Sequence, residues 1–538
     1  MIRAVPLALI ILAAGCSERL PLGSISGLVA EWDASDAHPE IVPLDAADRC
    51  MPCNDFPANP IIAGGAPANA PGLFATTDGS APTGAPACLM EPQDRALFPN
   101  NWQRPRFRLK PADPLKQYIY EIRLHATSEA NDLVVYTANP SWTMPKEIWP
   151  SLVRHVVDEP ITMSIRSAEY DGSRLLTKPV MGTIGTFAIA PVPAEGTLVY
   201  WTSKGNVLKG FSPGDEVVNV VLQPSQTSGR CVGCHASTPD GLFVGHEVSD
   251  SPTFGLPARV EFHSVNGQAI GLPFLTGAAQ ALLSRPDQLT PSFSEAHWQP
   301  GDRLAFSLYL NEIIWTDLET SSMDPGIGWG IFNRTGDLEK PFSFATSHDG
   351  TRVAYASSDL TKYGTQNEGE SDLHVIPFGD RAGGTSVPLE GASHPSLSEY
   401  YPTFSPDDKF IAFARIPAGQ TSKHNPLAEI EIIPSMGGSA IRLDANDPPA
   451  CSGAVSPGVT NSWPRWAPQK GSVGDRTYYW LVFSSRRTES NTHQIYVTGV
   501  VVSGASVATH TGIYLWNQPA DEANHMPSWD RLQIRWPQ

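Results

Sequence analysis

One pattern recurs down the C-terminal three hundred or so residues and limits the folds open to the chain. "YYPTFSPDDKFIAFARI" (400–416) aligns with "EAHWQPGDRLAFSLYL" (295–310), "SFATSHDGTRVAYASS" (343–358), "WPRWAPQ" with "YYWLVFSSRR" (463–487) and "MPSWDRLQIRW" (526–536). Each core is followed by a pair of strand-like runs such as "AEIEIIPSMGGSAIRL" or "SDLHVIPFGDRAGGTSVPL". A four-stranded unit repeated every 50–60 residues, roughly, cannot bury its faces alone and predicts the stacked sheets of a β-propeller. The 45 Gly and 50 Pro of the 538 residues fit a chain rich in turns rather than long helices.

The x-Pro-Asp-Gly turn with its following apolar-Ala-Phe strand resembles the TolB-type propeller, and that resemblance implies a WD-repeat-like ring. With "ASTPDGLFVGHE" (236–247) the cores number six, and the last stops after its inner strands. "GTLVYWTSKGNVLKGF" (196–211) matches the missing outer pair, so the expectation is a six-bladed ring over 196–538. N-terminal strands would close its last blade and leave no open sheet edge. Residues 101–192 alternate in period two ("YIYEIRLHA", "DLVVYTA", "ITMSIRSAEYDG") and predict a small antiparallel sandwich. Its pattern resembles a fibronectin type III or immunoglobulin-like module. The fold class expected is therefore all-β, a small β-sandwich followed by a propeller.

The N-terminus, "MIRAVPLALIILAAGCSERL", has one cation, a short apolar run and small residues up to Cys16. It reads as a signal peptide over 1–16, too short to span a bilayer. Leu12-Ala13-Ala14-Gly15-Cys16 resembles a bacterial lipobox, which implies lipidation of Cys16; the alternative is an ordinary cleaved signal. By the same resemblance Ser17 favours the outer membrane, with the protein facing the periplasm or the cell surface. Residues 17–100, rich in Pro, Ala and Gly, read as a tether. Export places the seven cysteines in an oxidising compartment, where each is expected to be bonded, modified or ligating. Cys50, Cys53, Cys88 and Cys451 permit two disulfides of open connectivity. "RCMPCN" has CxxC spacing without a following His, and reads as a structural bridge or a redox dithiol.

"GRCVGCHASTPDG" (229–241) carries the chemistry. Cys231, Cys234 and His235 have the CxxCH spacing by which two thiols add across the haem vinyls while the adjacent imidazole binds iron. The five residues resemble the attachment motif of c-type cytochromes, which implies one covalent haem c with His235 as proximal ligand. Aligning Cys234 and His235 with Tyr401 and Pro402 sets the motif at the mouth of the ring's channel. "NHMPSW" then offers Met526 or His525 as the distal ligand. A disulfide involving Cys231 or Cys234 is the competing reading. His297, His348 and His394 fall near repeat starts and are weaker candidates.

The formal charge of −18, with no basic run, argues against nucleic-acid or anionic-membrane surfaces. Three functions stay open: a haem-bearing lipoprotein transferring electrons to a redox or envelope protein partner, a non-haem binding scaffold, and an enzyme at the channel mouth. In the first, membrane contact is through the lipid anchor alone. No GxSxG, HExxH or paired acidic motif supports the third.

Overall fold

The computed structural model describes residues 48–75, 84–250, 258–264, 271–286, 288–358, 370–422 and 424–532. Cys16, the rest of the signal segment and residues 17–47 lie outside the described residues. Among those described, strands dominate and helices are short. Among the described residues no helix is long and apolar enough to cross a membrane.

The first unit is a pair of sheets. Alternation drives it: in Arg106–Lys110 only Phe107 and Leu109 point inward, and the Ile161–Glu169 strand begins with the same in-out pattern. A six-stranded sheet runs Ile61–Ala63, Leu133–Thr137, Tyr118–His125, Ile161–Glu169, Val180–Ile189, Ala96–Phe98. Cys88–Glu91, Arg106–Lys110 and Ser141–Thr143 form the second sheet. Both edge strands of the larger sheet pair in parallel, unlike the wholly antiparallel sandwich expected.

Those edges come from the stretch read as a tether, and the described part of 17–100 corrects that reading. Ile61–Ala63, Cys88–Glu91, Ala96–Phe98 and a short helix at Ala70–Ala75 all fold onto the sandwich. The physical reason is a few well-placed apolar residues in a polar and small-residue background. Phe56 and Phe74 are buried, and Phe74 meets Tyr136 edge-on with ring centroids 5.3 Å apart. A Cys50–Cys53 disulfide closes the turn whose Cys53 amide donates to the Ser128 carbonyl at 2.7 Å. Average composition hid these anchors.

Among the described residues six larger sheets and one two-stranded pair (Asn333–Thr335 with Gly383–Thr385) follow, and a strand at the end of each larger sheet overlaps or leads into a repeat core: Cys231–Ser237, Gln288–Ser292, Lys340–Thr346, Leu397–Phe404, Asn461–Trp466 and Asn524–Asp530. The last of these pairs antiparallel with Thr197–Thr202, Thr197 opposite Asp530 and Leu198 opposite Trp529. Val207–Phe211 and Asn219–Leu222 complete that sheet, so its strands come from points more than 300 residues apart in the chain.

The two units share a core. One buried cluster holds Leu97, Phe98 and Trp102 of the sandwich together with Leu198, Tyr200, Trp480 and Trp529 of the repeating sheets. Trp480 donates through its indole N–H to the Pro193 carbonyl at 3.0 Å, and Arg476 pairs with Asp158 at 2.6 Å. A disulfide joins Cys88 of the sandwich to Cys451 across a separation of 363 residues.

Closing so long a loop removes chain entropy from the unfolded state, about 6 kcal/mol in the simplest treatment and about 2–5 kcal/mol in practice. A C88S/C451S variant is expected to lower the urea midpoint accordingly. An unchanged midpoint would mean that the shared apolar core alone fixes the two units together.

Candidate functional site

The six end strands meet around one cavity of about 240 Å³. Its wall takes Cys234 and His235 from the first strand, Thr290 from the second, Phe342, Tyr401 and Trp463 from the next three, and Met526 from the last. Aromatic rings dominate the side near Tyr401, whose ring lies 5.3 Å from that of Trp463.

Local backbone geometry explains why these residues face inward. Each end strand carries a bulge at the same place, where two of its residues oppose one on the neighbour: Gly233-Cys234, Thr290-Pro291, Phe342-Ser343, Tyr401-Pro402, Trp463-Pro464 and Met526-Pro527. Proline is tolerated at a bulge because no ladder hydrogen bond is asked of it. Thr290, Tyr401, Trp463 and Met526 hold φ of 56°, 57°, 53° and 50°, in the left-handed region that side chains rarely adopt. Each costs roughly 1–3 kcal/mol, a strain typical of positions selected for where they aim a side chain.

This register corrects the expected alignment by one residue. Val232 pairs with Val248 and His235 with His246, as Tyr400 pairs with Ala414 and Thr403 with Ala412. Cys234 therefore takes the place of Pro402, and Gly233 that of Tyr401. The bulge absorbs the extra residue and so puts Cys231 and Cys234 on the side of the strand that carries Glu247, while His235 lies on the side of His246.

The motif residues differ in state. Cys234 is a free thiol on the cavity wall. Cys231 is buried, does not line the cavity, and is disulfide-bonded, though not to Cys234. Both ring nitrogens of His235 are shut off from solvent and neither makes a well-formed hydrogen bond, with only the Val199 and Gly233 backbone beside the ring. Burial pulls its imidazole down to about 4, which keeps it neutral. Met526 shares the cavity with Cys234 and His235. His525 does not line it; its ring packs against Trp201 at 4.7 Å and Trp463 at 5.3 Å.

The other histidines read in the sequence are tied into turns. His297 is held between Asp302 (2.7 Å) and the Gly350 carbonyl (3.2 Å). His348 lines the cavity but its Nδ1 is engaged by Asp408 at 2.9 Å. His394 contacts Ser396.

Three charged residues at the site were not read from the sequence. Glu247 is buried, and its Oε1 accepts from the Thr290 amide at 2.5 Å, so a carboxyl of the first sheet pins the bulge of the second. Arg465 and Asp530 line the cavity; burial pulls the guanidinium down and pushes the carboxyl up. A signal for Glu247 existed: "FVGHEVS" puts an acid beside a histidine inside a strand-like run, and acids are seldom buried unless paired.

No family model matches the chain, and no curated protein does. Among solved structures, a TolB protein from Agrobacterium tumefaciens aligns at 15% identity and TM-score 0.32, over 62% of this chain and 97% of its own. Hydrazine synthase from Kuenenia stuttgartiensis aligns at 15% identity and TM-score 0.29, over 53% and 75%. A dihydro-haem d1 dehydrogenase, NirN, aligns at 10% identity and TM-score 0.27, over 61% and 78%.

Burial raises the Glu247 carboxyl from 4.5 to about 7. Between those values the folded protein holds a proton that the unfolded chain has released, so stability falls as pH rises through this window. The loss is on the order of 2–3 kcal/mol. Urea unfolding between pH 5 and 8 is expected to show a flatter profile in E247Q than in the wild type; equal slopes would assign the proton to another group.

Proposed function

We propose that the protein is an exported, lipid-anchored six-bladed β-propeller that holds one covalent haem c at the mouth of its channel and passes electrons to a partner at the cell envelope. The observation that carries this reading is His235, whose two buried ring nitrogens make no well-formed hydrogen bond beside the free thiol of Cys234. An unpaired buried imidazole is costly, and a metal–nitrogen bond removes that cost. Six end strands converging on one cavity, with strands from both ends of the repeating region in one sheet, support the closed ring.

The donor set suits a c-type haem. Cys231 and Cys234 would hold it, His235 would bind iron on one side, and Met526 is the better placed of the two distal candidates because it shares the cavity. The group would supply one-electron chemistry at iron. The chain's own contribution is to keep His235 neutral by burial, to keep the Cys234 thiol protonated until it reacts, and to wall the cavity with Tyr401, Trp463 and Phe342. The −18 charge would steer a basic or neutral redox partner.

Cys231 favours the second reading. Thioether attachment and a disulfide at Cys231 exclude each other, and a chain that retains the disulfide is a non-haem binding scaffold with an aromatic-walled channel.

The test is a pyridine haemochrome spectrum of protein made in a bacterium with c-type maturation, beside C231S/C234S. A c-type band in the wild type, absent from the variant, is expected. A colourless wild type in a host that matures a control cytochrome overturns the haem and leaves the scaffold. Given haem, M526A is expected to shift the absorption spectrum toward an open or substituted sixth position; an unchanged spectrum removes Met526 as the ligand.

A further inference from the structure

The first sheet carries a second group of metal-ligating side chains, one strand away from the CxxCH motif. His246 lies on the central strand Phe243–Ser249, and Glu261 and His263 on the outer strand Ala258–Ser264. Register places Glu261 directly opposite His246, and His263 two residues further along the same strand. Alternation therefore brings all three side chains to one face of the sheet. One ligand atom from each lies within 4.8 Å of those of the other two.

We propose that His246, His263 and Glu261 form a site for a divalent transition ion of the zinc class, with water in its fourth position. Two imidazoles and one carboxylate with an open position are a donor set that such ions take in tetrahedral geometry. His246 and His263 are 0% and 3% exposed, and the Nε2 of the first stands 2.8 Å from the Nδ1 of the second. Metal–nitrogen bonds of 2.0–2.1 Å at a tetrahedral angle set the nitrogens about 3.3 Å apart. The pair therefore needs to open by roughly half an ångström, within reach of side-chain rotation.

The surrounding groups already orient these ligands. His246 Nδ1 faces the Glu247 carbonyl at 3.4 Å, which leaves Nε2 toward His263. Glu261 Oε1 is held by Arg259 Nε at 3.2 Å and by the Ser228 hydroxyl, while its Oε2 accepts from the Ser228 amide at 3.3 Å. A carboxylate held through both oxygens is fixed in direction while Oε2, with a single donor on it, keeps a lone pair for an ion, the orienting role outer hydrogen bonds play at metal centres. The Glu261 side chain is 20% exposed, which gives an ion a path from solvent to otherwise buried nitrogens.

His235 stands opposite His246 in the ladder, so the site is tested apart from haem, on full-length protein made without haem maturation, stripped with chelator and titrated with Co²⁺. The wild type is expected to bind one equivalent, with the visible d–d bands of four-coordinate cobalt, and to lose them when Zn²⁺ is added. C234S keeps the bands; H263Q abolishes them, and E261Q weakens binding about 10–100-fold. Circular dichroism and thermal midpoints establish that the variants fold, and E261Q serves if H263Q does not. Bands absent from the wild type, retained at full affinity in both H263Q and E261Q, or lost in C234S instead, overturn the assignment. Failure of the haem test would leave these outcomes untouched.

Discussion

The architecture around the cavity depends on one backbone event, the bulge on each of the six end strands. A regular strand sends successive side chains to opposite faces, so at any point along the cavity it could offer only every second residue. The bulge admits one extra residue, twists the strand and turns a side chain out of the sheet plane toward the axis. Where that residue is Tyr401, Trp463 or Met526, the left-handed backbone costs energy that the surrounding buried sheets must supply. Glu247 extends the device from one sheet to the next by accepting the amide of Thr290, itself at a bulge.

Around this ring of bulges the rest of the molecule acts as a clamp. Antiparallel pairing between Thr197–Thr202 and Asn524–Asp530 joins the first and last parts of the repeating region in one sheet. Trp529, on the closing strand, is also part of the core shared with the sandwich, where its ring lies 6.1 Å from that of Trp102. The Cys88–Cys451 bond makes the same connection covalently. The sandwich thus buttresses the repeating sheets, and an element that moved on a free linker would have neither the shared core nor the cross-link.

Much of this was legible from sequence because it is periodic. The repeat cores, their following strand pairs and the out-of-place segment 196–211 are patterns of alternation and turn chemistry, and local patterns survive folding. The CxxCH motif was legible for the same reason. What was misread depended on averages or on single-residue register. The Pro-rich stretch reads as a tether because a few buried residues, Phe56 and Phe74 among them, carry little weight in a composition. Cys234 was aligned with Tyr401 instead of Pro402 because a bulge shifts register by one without any mark in the residue string.

By itself, then, the amino-acid sequence determined the strand content, the repeat and the residue types available for haem or metal. Each follows from local chemistry: side-chain periodicity, turn propensity, motif spacing. Tertiary structure alone decided which of those residues meet. It placed Cys234, His235 and Met526 on one cavity wall and turned His525 away to Trp201. It paired Cys88 with Cys451, and brought His246, Glu261 and His263 onto one face of a sheet. The reason is that such meetings depend on strand register and sheet order, which long-range hydrogen bonding and burial settle and which no short window of sequence contains.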